Sequence, residues 1–440
     1  MLKAFRSLLR SEKKRSLELP RDSRRFDEIW RIRNTRSPSY HDLAALRRQA
    51  WHLYKTNGYA KRAVNVLATY MIGSGITPHA IAKNGKRSQR IDERLKFWAD
   101  STRCDFDGRQ NLYGIQSLVT KHLVRDGECF VIRVHDKNRE IPVCLRIIDA
   151  DLLDPSKGIQ GIEFSASGLR TGYHFFLSPP ESTELERQST FLPAKEVLHV
   201  FQADRAGQVR GISWLSTILD RLKTFDEYEG AQLEKQKISA NFMGVFRDLE
   251  ISDIAPYEEK MEQMMKPGSM LIAPAGQTVE WSSPPSVGDF KEFTEHNSLS
   301  MAAGVEVPYM LLSCDYSKTS YSSSRLELIN FYKHIEALQN NLIIPSLCEP
   351  IFQWFLEALE LTGVSTASIR ASWARPKRDF VDPVQEIEAY ERAVKSGFLS
   401  HSDVLKEMGR DPDEVYCELT YLKDLFKKHD ILQPIEKGTV

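Results

Sequence analysis

The chain has 440 residues, 41% of them hydrophobic, and its 60 Lys and Arg are balanced by 60 Asp and Glu. That length allows roughly three domains and a substantial core, while zero net charge removes any argument from bulk electrostatics for a polyanionic or polycationic partner. The balance conceals an asymmetry: residues 1–62 carry 17 basic and 6 acidic side chains, whereas residues 381–440 carry 8 and 13.

The first 40 residues are rich in Arg, Lys and Ser and read as a basic, poorly ordered arm, either solvated or in contact with nucleic acid. From His41 the period becomes helical. Leu43, Leu46, Ala50, Leu53 and Tyr54 share one face, with Asp42 where a cap belongs. Asn57-Gly58 opens a second helix with Ala60, Val64, Leu67, Ala68 and Met71 on one side. It ends at Gly73-Ser74-Gly75. These glycines follow a helix, where the dipole is negative, so a left-handed C-cap is expected rather than a phosphate cradle. Ile91–Thr102 makes a third helix, "CDFDGRQN" a turn, and Leu112–Arg125 a fourth helix.

The period then shifts towards two. "ECFVIRVHD", "VCLRIIDADLLD", "GIEFSASGLRTGYHFFL" and "EVLHVFQAD", within residues 127–204, read as strands of one largely antiparallel sheet. A long helix over Trp214–Phe246 follows, with Ile218, Leu219, Leu222 and Phe225 in one stripe and charge elsewhere, a pattern suited to packing on like neighbours. Residues 247–288 read as short strands and turns, and Asp289–Ala303 as a helix. The loop "GVEVPYMLLSCDYSKTSYSS" leads to Ser324-Arg325-Leu326-Glu327, a capping-box spacing. The helix it opens runs to about Glu360, with bends at Pro345 and Pro350, and Gly363 ends it. Two or three short charged helices follow Val381.

The search for chemistry yields little. There is no G-x-x-x-x-G-K-[ST], no H-E-x-x-H and no G-x-S-x-G. Cys104, Cys129, Cys144, Cys314, Cys348 and Cys417 form no C-x-x-C pair, and no His cluster stands at metal spacing. They read as free, mostly packed thiols of a reducing compartment. "CDFDGRQN" lacks the later ligands of a calcium loop. Asp149 and Asp151 alternate as paired carboxylates would, or as an Arg-paired strand end. Ser317, Ser320, Ser322, Ser323 and Ser324, with Lys318 and Arg325, form either a helix cap or a weak, sequence-independent surface for a phosphate backbone. No cofactor is implied. No uninterrupted run reaches the roughly 18 apolar residues of a membrane span, and Met1–Arg15 has no signal-peptide core, so a soluble, cytoplasmically made protein is expected.

Seven stretches together carry a resemblance: "NGYAKRAVNVLATYMIGSGITP", "FWADSTRCDFDGRQNLYGIQSLVTKHLVRDGECFV", "RIIDADLLD", "EVLHVFQADRAGQVRGISWLSTIL", "DEYEGAQLEKQKISA", "GVEVPYMLLSCDYSKTSYSSSRLELINF" and "FVDP". In that order they resemble the lambda-type family of tailed-phage portal proteins, over residues 35–415. "HVFQADRAGQVRGISWL" is the most specific of them.

The resemblance implies an α+β portal-type fold assembled as a homo-oligomeric ring of about twelve copies at one capsid vertex of a phage or prophage. It also implies the division of the chain. A flexible arm (1–40) precedes a wing of helices and mainly antiparallel sheet (41–213). A stem helix (214–246), a clip (247–288), a second stem helix (289–303) and a tunnel loop (304–323) follow. A long helix re-enters the wing (324–380), and residues 381–440 form a short helical crown. Double-stranded DNA would pass through the axis. Further partners would be the terminase large subunit, major capsid protein and scaffold, and a head-completion or tail-joining protein. No membrane is involved, and the chain would be a virion component assembled in the bacterial cytoplasm without enzymatic activity. Position alone nominates Ser317, Lys318, Thr319, Ser320, Tyr321 and Ser322 as lining the channel. A nucleic-acid-processing enzyme and a head adaptor without a channel stay open as alternatives.

Overall fold

The computed structural model describes residues 40–82, 85–176, 188–240, 244–248, 277–281, 290–317, 320–376, 383–408, 410 and 412–429. The basic arm, most of the expected clip, and Lys318 and Thr319 lie outside them.

Helices α1 (Tyr40–Thr56) and α2 (Gly58–Ile72) pack on α4 (Leu112–Asp126). Asn57 caps α2, its side-chain oxygen accepting from the amides of Tyr59 and Ala60, and all five expected apolar positions of α2 are buried. Gly73 and Gly75 do stop this helix. Their φ angles are +51° and +122°, so the turn is not the regular left-handed cap expected; the amide of Gly73 donates to Thr69 O and that of Gly75 to Ile72 O, each at 2.7 Å. A Cβ on Gly75 would come within 2.2 Å of the Tyr113 ring. The exit is then fastened by buried Gln116, which exchanges two 2.9 Å hydrogen bonds with the backbone of Ile76.

The chain next forms β1 (Thr77–Ile81), which pairs with β10 (Arg370–Ala374) across nearly three hundred residues, and α3 (Gly85–Asp100), which begins earlier than its apolar period indicates. Asp105 organises the following turn: its carboxylate accepts from the amides of Asp107, Arg109 and Gln110.

The strand block is two three-stranded antiparallel sheets, not one. β2 (Glu128–Val134) lies between β3 (Cys144–Ile148) and β7 (Val197–Phe201). The second sheet places β5 (Arg170–Phe176) between β4 (Ile162–Phe164) and β6 (Ser189–Pro193). The division follows from alternation on β2: Cys129 and Val131 face the large helical core, while Phe130 and Ile132 face a smaller core with Ile148, Ile162, Tyr173 and Phe175. Both faces of β2 are therefore covered, which is why it reads as a continuous apolar run.

Helix α5 (Leu219–Ala240) follows a 3-10 turn at Trp214–Thr217 and is shorter than expected, since Phe246 lies in β8 (Gly244–Asp248), paired with β9 (Gln277–Trp281). Ile218, Leu219, Leu222 and Phe225 are buried in the main core, but no residue from Asp226 to Lys237 is. The helix leaves the body there. α6 (Phe290–Gly304) returns beside it, with the Tyr228 and Phe293 rings 4.4 Å apart and Arg221 donating to Asn297 Oδ1 at 3.2 Å.

Within the loop expected over 304–323, Tyr309–Ser313 and residues 321–323 are helical, and among the described residues only short stretches such as 314–317 are not. Val305 and Val307 are buried, and so are Met310, Leu311 and Leu312 of α7 (Tyr309–Ser313), as so apolar a segment demands. The long helix is α8 (Tyr321–Leu338), a π-helical stretch Gln339–Cys348, and α9 (Glu349–Leu361). Pro345 has no amide proton to give and sits inside the wider turns. The run Ser322–Leu361 is the one described helix long and apolar enough to cross a membrane, but more than half of its most apolar stretch is buried in the core with Phe352, Phe355 and Leu359. Three helices, α10 (Pro383–Lys395), α11 (His401–Glu407) and α12 (Pro412–Lys428), complete the described chain. Cys104, Cys129, Cys144 and Cys348 are buried free thiols, and Cys314 and Cys417 are exposed.

Candidate functional site

The exposed hydroxyl loop is suspended between two anchored elements. At its entry, α7 is held at two points: Glu327 of α8 accepts from the amide of Tyr309 at 3.1 Å, and Arg62 of α2 donates to Leu311 O at 2.8 Å. At its exit, Ser320 caps α8. Its side chain accepts from the amide of Ser323, whose own hydroxyl accepts from the amide of Ser320. The expected box beginning at Ser324 is therefore displaced by four residues, and Glu327 serves α7 instead, because three consecutive serines let the helix start earlier.

Of the six nominated residues, Ser317, Ser320 and Ser322 are exposed. Ser320 Oγ is 3.2 Å from Ser322 Oγ, whereas Ser317 is turned back onto Asp315, its hydroxyl donating to Oδ1 at 2.6 Å. Lys318 and Thr319 fall outside the described residues, as does the Tyr321 side chain. The structure thus brings together Ser320, Ser322 and Ser323 as a polar helix start, and ties Ser317 to a carboxylate a few residues away.

A second feature ties down the segment that leads into α5. Glu128, fully buried at the start of β2, accepts from Arg210 Nε at 2.8 Å, Arg210 Nη2 at 2.5 Å, His199 Nε2 at 2.8 Å and the Gly211 amide at 3.0 Å, with Arg47 Nη1 at 3.4 Å. Burial alone would raise the Glu128 carboxyl; the charge of Arg210 and the hydrogen bonds from His199 and Arg210 outweigh it and hold the group well below the usual carboxylate range. For His199 burial wins over the attraction of Glu128 and pushes the imidazole down to about 4. Its partners agree with a neutral ring that donates through Nε2 to Glu128 and accepts at Nδ1 from Arg170, 3.3 Å away. Gly211 approaches so closely that a Cβ there would lie 2.1 Å from Gly127 O. This joint binds α1, both strands β2 and β7, and the "RAGQVRGIS" segment that launches α5.

The acidic pair is structural. Asp149 and Asp151 do not alternate on a strand: Asp149 caps the 3-10 turn Ala150–Leu152 and accepts from the Asp151 amide, and Asp151 receives Arg47 at 2.7 Å. Folding also gathers His122, Asp126 and Asp149, with potential ligand atoms within 4.8 Å of one another, a grouping invisible to sequence spacing. The cationic position among them belongs to Arg125, which donates to Asp126 and has Nη2 3.0 Å from His122 Nδ1. Burial would raise Asp126, but the hydrogen bonds of His122 and Arg125 keep its carboxyl below the ordinary value.

With this geometry in place, residues 23–339 match the family described as phage portal protein, lambda family. The chain belongs to that family of phage portal proteins. Members are virion components of the capsid neck, and the α+β fold expected from the resemblance is the fold seen. A probable portal protein of Halomonas phage phiHAP-1 is 26% identical over 441 residues, covering 91% of this chain and 84% of the relative. Portal protein B of Escherichia phage lambda is 20% identical, covering 83% and 81%. A solved chain from the neck of a native GTA particle, computed with C12 symmetry, covers 85% of this portal protein and 95% of its own length, with a TM-score of 0.52 and 15% identity. That likeness speaks to the fold.

In this portal protein the exposure of Ser317, Ser320 and Ser322 was legible in the sequence, and the Glu128 joint was missed. The signal was available: a glutamate opening an apolar strand, and an arginine between Val209 and Gly211, are both expensive to bury alone.

Proposed function

We propose that about twelve copies of this chain close into a ring at one capsid vertex, through which double-stranded DNA is packaged and later ejected. The observation that carries this reading, beside family membership, is the α5–α6 pair. It leaves the body beyond Phe225 with no buried residue through Lys237, and returns directly into the α7 base of the loop. Such a pair is completed by the same pair of neighbouring subunits. The division into wing, stem, clip, tunnel loop and crown is kept in this proposal, with α5 and α6 as the stem and the tunnel loop shortened to the segment between α7 and α8.

In the ring, Ser317, Lys318, Thr319, Ser320, Tyr321 and Ser322 face the axis. Hydroxyls beside one lysine touch phosphates weakly, which lets DNA slide, since every additional cation adds affinity and salt dependence. The protein is a passive conduit without nucleotide hydrolysis, and the motor belongs to a docked terminase large subunit. Capsid protein and scaffold surround the ring, and a head-completion or tail-joining protein binds it after packaging.

The experiment is a packaging assay with rings carrying Lys318→Ala or Ser320→Ala together with Ser322→Ala. Altered packaging velocity with intact rings supports the loop assignment; unchanged packaging and retention with all of these variants overturn it.

A further inference from the structure

Helix α1 presents an exposed cationic edge that the channel reading does not use. Arg48, His52 and Lys55 are exposed at i, i+4 and i+7, so they share one face along about 10 Å of helix. Lys61 and Arg62 continue the exposed basic charge on α2. From Tyr40 to Arg62 the chain has five Lys and Arg against the single acid Asp42, and residues 1–39, which run into this helix, carry 12 basic and 5 acidic side chains.

The bordering acids are engaged. Asp151 is held by Arg47 and Asp126 by Arg125, while Asp149 accepts from the Asp151 amide. At the far end, α5 brings Asp226 to the side chain of Asn57.

Trp51 decides what kind of polyanion fits. The residue is 42% exposed, yet Lys55 Nζ lies 4.7 Å from its ring centroid and the Arg125 guanidinium 4.2 Å. The indole also stacks on Tyr54 at 5.8 Å. A ring already covered by the protein's own cations offers no platform for an unpaired base; it holds Lys55 in place as a preorganised charge. Cations without a stacking surface match the backbone of a duplex.

We infer that the exposed edge of α1, centred on Arg48 and Lys55, is a second, off-channel binding surface for double-stranded DNA. It engages phosphates without reading sequence and restrains duplex lying against the body of the subunit. The inference rests on the portal reading only for its source of DNA.

The probe is a closed duplex minicircle, which has no end to thread through a channel, measured by fluorescence anisotropy with the full-length protein across 50–200 mM salt. Arg48→Gln with Lys55→Gln removes two contacts, so the slope of log K against log salt becomes shallower by about 2 and affinity falls roughly tenfold or more. Arg48→Lys with Lys55→Arg retains both. Failure of the wild type to bind the minicircle, or identical slopes for wild type and the double Gln variant, overturns the inference. So does a double Gln variant that loses its ring in electron micrographs while its DNA affinity is unchanged, because the edge is then a subunit contact. Absence of a ring in the wild type speaks against the portal reading and leaves the minicircle result to be read separately.

Discussion

Glu128→Gln is the substitution on which the local account depends most. The carboxylate receives two nitrogens of Arg210, one of His199, the Gly211 amide and, more distantly, Arg47, and both Arg210 and His199 are almost fully buried with it. Glutamine keeps the shape but replaces one acceptor oxygen with an NH2 group that faces donors, and it leaves the Arg210 guanidinium without a counter-charge. Removing one member of a buried ion pair costs about 3–5 kcal/mol, a large share of the 5–15 kcal/mol that holds a domain folded. The assay is urea denaturation followed by tryptophan fluorescence at neutral pH, with Arg210→Met and the double variant Glu128→Gln, Arg210→Met alongside. The double variant removes both charges, so it is expected to be less damaged than the sum of the singles. A Glu128→Gln protein within about 0.5 kcal/mol of wild type, or a double variant equal to the summed singles, refutes the idea that the joint is a coupled ionic unit.

Other outcomes follow from the same structure. His199 falls from 6.5 to about 4 on folding, so the unfolded chain binds its proton first; its contribution is complete above pH 6.5 and is lost as pH drops through 4. Roughly 3 kcal/mol disappears over that window, and His199→Gln flattens it in a pH series of denaturation midpoints. Glu128, depressed from 4.5, adds to the loss only below that value. Gly75→Ala meets both a positive φ and the Tyr113 ring, and is expected to lower stability by about 2 kcal/mol or more in thermal unfolding. In the native protein a thiol reagent titrates Cys314 and Cys417 quickly, while the four buried thiols, with Cys104 pushed up to about 12 by burial, react only on denaturation.

How legible all this was in the sequence depended on distance along the chain. α4 was read almost to the residue, because Asn111 caps it and Gly127, with φ +89°, stops it. The β1–β10 pair was missed: its strands are five residues each, Pro78 lies inside β1 and Pro376 just beyond β10, and Thr77 meets Ala374 only in three dimensions. The single expected sheet became two because alternation on β2 shows that residues take opposite sides, and cannot show that each side has its own core. At the hydroxyl loop, serine-rich composition announced a cap and an exposed turn. It did not announce that Val305, Val307, Met310, Leu311 and Leu312 are buried, although the apolar residues there said so to any reading that weighed them against the loop. The joint at Glu128 combines residues from four distant segments, and no local period encodes such a meeting.

The central claim is the ring, and negative-stain electron microscopy of the purified full-length protein tests it most directly. Closed rings of about twelve subunits with an axial channel wide enough for a duplex are expected. A protein that remains monomeric at every concentration, and never enters a procapsid, contradicts the claim.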